Sequence, residues 1–202
     1  MSQESQVEFE EYPLLLKWIN SQVKDLNCEM NIFFLSFDPR EAARLHCDKH
    51  VVKMIIESAQ LLYSSHWILN PEDLPPNAYK LAHKNHPCSI WVRASLTNYM
   101  WLASLAWWLC KEYQYRYGDQ KIHKTEAHVV WLINNTPKSI PFVEFTRPAL
   151  AMPDQYKQED VIESYKMFYV YSKLKERNIV NYTKREWPKF LINSLSNGPD
   201  IP

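Results

Sequence analysis

The stretch DPREAARLHCDKHVVKMIIESAQLLYSSHWIL, residues 38–69, decides the fold. Asp38 is a good N-cap and Pro39 suits the first helical position, so the segment reads as one long helix. On a helical wheel His46, Lys49, His50, Lys53, Glu57, Gln60 and Ser64 fall on one narrow line, while Val51, Val52, Met54, Ile55, Ile56, Leu61 and Leu62 occupy most of the remaining circumference. A surface helix normally turns a wide polar face to water. A narrow file of titratable groups on a mostly apolar helix is expected to face a cleft, or else to be a row of satisfied buried polar groups.

A second long helix is expected from Pro87 to Tyr117, PCSIWVRASLTNYMWLASLAWWLCKEYQYRY, stopped by Gly118. A third runs from about Lys124 to Asn134, and QEDVIESYKMFYVYSKLKERN forms a fourth, amphipathic one, followed by a basic aromatic tail ending in REWPKFL. MNIFFLSF reads as a short strand-like or extended apolar segment and YKLAHKNH as a short helical turn. TPKSIPFVEFTRPALAMP, with four prolines, reads as a loop lying on the body. No alternating strands or repeats appear, so the expected fold is all-α: a compact helical domain over residues 30–202 built on two long central helices, with an N-terminal helical arm over 1–29.

The 202 residues fit one core. Gly118 and Gly198 are the two glycines, which excludes Walker and Rossmann phosphate loops. The aromatic content, 14% with eight Trp and twelve Tyr, supports a dense core and leaves rings for stacking on a flat ligand. Four dispersed cysteines, no CxxC pair and no long apolar run point to a reducing compartment, the cytoplasm, and no membrane partner. The zero net charge divides unevenly. Residues 1–29 carry six acids against Lys17 and Lys24, whereas Lys166–Lys189 carries seven bases against Glu176 and Glu186. An acidic amphipathic arm is thus attached to a basic body, and the arm is expected to dock on it or to shield it.

Glu57 is the candidate acid/base or charge-stabilising carboxylate, with His50 and His46 on the same line and Lys53 as a possible internal amine nucleophile. His46 and His50 could instead share a metal with His123, the basis of a rival reading as a metal-dependent helical hydrolase; HxxxH without a glutamate between its histidines is a weak metal signal, and no metal or cofactor is assigned. Lys84, His86 and Arg93 surround the start of the second long helix, whose free N–H groups suit phosphate. Lys124 and the tail residues Arg185 and Lys189 add the basic-aromatic mixture expected along a nucleic-acid backbone. A non-catalytic DNA-bending or inhibitor module fits that mixture as well.

Asp48-x-His50 followed by Glu57, in a helix shortly after MNIFFL, resembles the pyrimidine-dimer DNA glycosylases of the bacteriophage T4 endonuclease V type. HPCSIWVRASLTNYMWLASLAWWLCKEYQYRYG is similar to their second landmark helix, and the likeness spans about residues 30–195. The resemblance implies a mostly helical domain that kinks duplex DNA, extrudes a base and breaks an N-glycosidic bond, with the helix glutamate, here Glu57, stabilising an oxocarbenium-like sugar. The implied partner is double-stranded DNA, bound by a monomer. In that family the attacking group is the α-amino group at the chain's start, which aligns with Met30; here 29 residues precede it. The family's arginines just before and three after the glutamate are Ile56 and Gln60. These departures imply a different base, such as a hypermodified pyrimidine of viral DNA, and hydrolysis by a Glu57-activated water that leaves an abasic site without strand cleavage.

Overall fold

The structure is a computed structural model that describes residues 30–196, and the whole of the 1–29 arm with its expected helix lies outside them. Among the described residues the fold is all-α, as expected: α1 (Pro39–Leu45), α2 (Asp48–Leu69), α3 (Pro87–Ala94), α4 (Leu96–Tyr117), α5 (Glu126–Asn134), α6 (Val161–Phe168) and α7 (Lys189–Ser196), with short 3-10 turns at Pro71–Asp73 and Asp154–Tyr156. The two 22-residue helices α2 and α4 pack on each other and form the spine. α1 packs against α4, while α3 and α5 each pack against both long helices.

Both long helices differ from expectation in the same way. The first breaks at His46–Cys47, where both residues are extended, so α1 and α2 are separate helices. No glycine or proline marks the elbow. Distant tyrosines satisfy the backbone groups it frees: Tyr169 Oη accepts from the Cys47 N–H at 2.9 Å and Tyr182 Oη donates to the Leu45 carbonyl at 2.6 Å. The second long helix breaks at Ser95, whose hydroxyl accepts from the Thr97 N–H and donates to the Val143 carbonyl of the proline-rich loop. Gly118 ends α4 as expected, with φ of +126°, a conformation that side chains disfavour.

Three smaller expectations are corrected. Residues 79–86 are extended and turned rather than helical, held to α2 by the Ser64 hydroxyl on the Ala82 carbonyl and by the Trp67 indole N–H on the Tyr79 carbonyl. The expected fourth helix is α-helical over α6, N-capped by Asp160, then rewinds as a π-helix over Tyr169–Glu176. The tail ends in a helix of its own, α7.

Met30–Leu35 threads through the core as an extended, unpaired segment. Phe34 stacks on Trp101 at 4.2 Å and Phe33 on the His50 ring at 4.4 Å. Burying such rings contributes about 2–3 kcal/mol each, which fixes this segment against the polar line of α2. The described cysteines, Cys47, Cys88 and Cys110, are buried and unpaired. No helix among the described residues is long and apolar enough to cross a membrane.

Candidate active site

The polar line of α2 is covered by two other segments, through Asn31 on Glu57, Phe33 on His50 and Ala82 on Ser64. Its roof is the Met30–Phe33 segment on one side and residues 79–86 on the other. Glu57 is 7% exposed, and both of its carboxylate oxygens are engaged: Oε1 with Lys53 Nζ at 2.8 Å, one helical turn back, and Oε2 with the backbone N–H of Asn31 at 3.2 Å. Burial raises the Glu57 carboxyl above its usual range, while the Lys53 charge, the hydrogen bonds from Lys53 and Asn31 and the more distant His83 pull it back down. The result is a carboxylate short of water and close to a cation, the combination expected of a group that exchanges protons or stabilises a positive centre.

His50 lies on the same helix face, buried beneath Phe33. Tyr169 Oη, which accepts from the Cys47 N–H, also hydrogen-bonds His50 Nδ1 at 2.8 Å and so fixes the orientation of the imidazole. Burial first, and then the positive charges of His46, Lys173, Lys53 and Arg177, hold His50 well below its ordinary value, so it is neutral. It carries no charge near neutrality.

His46 is not brought to this site by the α2 helix. The elbow removes it from the helical line, and it is fully buried as the C-cap of α1, with Nδ1–H donating to the Ala42 carbonyl at 2.6 Å. Burial lowers it to about 4. Its Nε2 is buried without a hydrogen-bond partner. Asp48, the acid of the D-x-H pattern, binds Arg116 Nη1 and accepts from the Thr183 N–H and hydroxyl, which makes it a tie between α2, α4 and the tail.

The candidate phosphate contacts fall into separate groups. Lys84 is exposed, His86 N-caps α3 by accepting from the Cys88 N–H, and Arg93 donates to the Lys84 carbonyl at 2.7 Å, so these three sit together at the head of α3. Lys124 is exposed just before α5. Arg185 is committed to a two-point ion pair with Glu112, at 2.6 and 3.1 Å, while Lys189 is exposed at the start of α7. Both border a groove of about 990 Å³ that also collects Arg44, Lys166 and Lys184. Among the described residues no three His, Cys, Asp or Glu side chains converge on a metal-sized site, and His123 lies against Tyr113, bonded to the Thr125 N–H, rather than beside His46 and His50.

Three residues, Asn31, Tyr169 and Lys173, join the site without a sequence signal, and His83, from the basic run before the second long helix, joins them. Asn31 supplies the N–H that holds Glu57, and its own amide is fixed by the Ile32 N–H and the Ala151 carbonyl. Tyr169 orients the His50 ring. Lys173, 2% exposed, lies over the Phe33 and Phe168 rings at 5.8 and 4.4 Å. His83 occupies the left-handed region at φ of 52°, a strained conformation for this residue, and contributes charge at Glu57. Comparison with family models, with curated proteins and with solved structures finds no match to this chain.

Proposed function

We propose that the protein is a DNA N-glycosylase that acts on a damaged or modified pyrimidine and leaves an abasic site. The observation that carries this reading is the Glu57 carboxylate, buried yet clamped by Lys53 and by the Asn31 N–H immediately after Met30. In the resemblance, the attacking amine belongs at that chain start. In this chain the nitrogen at Glu57 is a peptide nitrogen, whose lone pair is delocalised and not nucleophilic. The chemistry that remains is hydrolytic. As the C1′–N bond lengthens, its electron pair leaves with the base, and Glu57 stabilises the cationic sugar. A water oxygen then bonds to C1′ and gives its proton to Glu57, which returns it to the departing base. The basic cluster of Lys84, His86 and Arg93 and the groove that collects Lys184 and Lys189 are the candidate surfaces for the duplex backbone.

The test is base release by the full chain from duplexes carrying cyclobutane dimers or glucosylated hydroxymethyl pyrimidines, in EDTA, with borohydride present to trap an imine. Abasic sites without an adduct are expected, and Glu57→Gln should slow release by about 10³-fold while duplex affinity stays within a few fold. A trapped adduct would mean that an amine attacks: Lys53, or a new chain start at Asn31. No release from any substrate, or release that EDTA abolishes, overturns the reading.

A further inference from the structure

A recess of about 300 Å³ shares Asn31 with the Glu57 site and is unused by the chemistry above. Asn31 belongs to both: its N–H holds the carboxylate, and the residue forms part of the recess wall. Phe33 and Phe168, with planes only 21° apart, supply an apolar surface. Lys173 and Arg177 supply cations. Glu176, the carboxylate on the same wall, accepts from the Tyr156 hydroxyl at 3.1 Å. Arg177 Nη1 is buried without a hydrogen-bond partner, an unmet donor of the kind that folding tolerates only where something else pairs with it. Lys173 and Glu176 are carried by the π-helix and Arg177 follows it directly, and π-turns inside helices concentrate at functional sites.

These features specify an occupant that is flat, rich in acceptors and able to carry negative charge. A pyrimidine leaving group has all three properties: when the C1′–N1 bond breaks, the electron pair it takes spreads onto the carbonyl oxygens of the ring. We propose that this recess receives the pyrimidine ring of the target nucleotide, and that Arg177 and Lys173 hold its carbonyl oxygens and stabilise the charge it acquires as it departs. The volume, at the lower end of the range for ligand pockets, suits one substituted ring. The inference rests on the glycosylase reading and names its substrate as a single modified pyrimidine extruded into this recess.

Full-length protein titrated with free 5-hydroxymethyluracil, and separately with inorganic phosphate, tests the site by ligand-observed NMR without requiring turnover. The free pyrimidine should bind in the millimolar range, and Arg177→Gln should weaken it at least tenfold. Gln155→Trp, an exposed rim position that can fill the mouth without disturbing the core, should do the same and covers the case in which the arginine variant fails to fold. Absence of pyrimidine binding to the wild type, binding unchanged by Gln155→Trp, or binding of phosphate alone would overturn the proposal. The glycosylase reading fails on a different result, no base release from DNA, which leaves this binding measurement independent.

Discussion

At the residue scale the site depends on the pair formed by Lys53 and Glu57. The i,i+4 spacing was legible in the sequence, because two side chains one turn apart on a helix face must meet. Its consequence for acidity was not legible, since that depends on how fully the roof excludes water. With the carboxyl raised by burial and lowered by the Lys53 charge, the acid limb of kcat/KM for base release should lie above the ordinary carboxyl value of 4.5. Lys53→Met removes the opposing charge and should move that limb to still higher pH. A pH-rate profile of the two proteins decides it: an unshifted limb would mean that Glu57 is not the group titrating. His46 shows the opposite outcome. Its spacing to His50 fits one helix, yet a backbone break hidden from the pattern places it in the core.

At the element scale, start and stop signals were read well where they are local. Asp38, Pro39, Pro87 and Gly118 all act as their chemistry dictates. The breaks at His46–Cys47 and Ser95 were invisible because each is held from a distance, by Tyr169 and Tyr182 in one case and by the proline-rich loop in the other. Asn98 shows how strong that hold is: its side-chain N–H groups reach the Trp91 carbonyl and the Thr146 hydroxyl, and its carbonyl accepts from the Thr146 N–H. Asn98→Ala strips partners from this buried junction and should cost about 2–3 kcal/mol, measured by urea unfolding. A loss under about 0.5 kcal/mol would show that the loop is not pinned there.

At the scale of the whole molecule, one fully buried guanidinium ties the chain together. Arg116 on α4 binds Asp48 at the start of α2, Glu112 on its own helix and the Arg44 carbonyl in α1, while Asp48 and Glu112 extend the network to Thr183 and Arg185 in the tail. Arg116→Met leaves two carboxylates without their central cation and should destabilise by about 3–5 kcal/mol in denaturant melts, whereas Lys138→Met, at an exposed ion pair with Asp73, should be nearly silent. Buried imidazoles impose a second global property. His46 and His66 are each lowered to about 4 and His50 lies well below 6.5, chiefly through burial, so the unfolded chain binds protons that the folded one refuses. Their contribution is present above pH 6.5 and is lost as pH falls toward 4. Each group removes about 1.4 kcal/mol per pH unit across that window. Denaturation at pH 7, 6 and 5 should show this slope, and His46→Asn should flatten it by one proton; a stability independent of pH over this range would refute it.

The sequence by itself determined the all-α class, the spine of two long helical regions and the alignment of His50, Lys53 and Glu57, because each follows from local rules: apolar periodicity, capping chemistry and helical spacing. Only the tertiary structure decided that Asn31 closes over Glu57, that Tyr169 orients His50, that Arg185 is spent on Glu112 and that Lys173 and Arg177 meet beside Phe33. Those contacts join residues as far apart in the chain as Phe33 and Lys173, 140 positions. Burial, more than residue type, sets what each group can do there, and burial belongs to the packed whole.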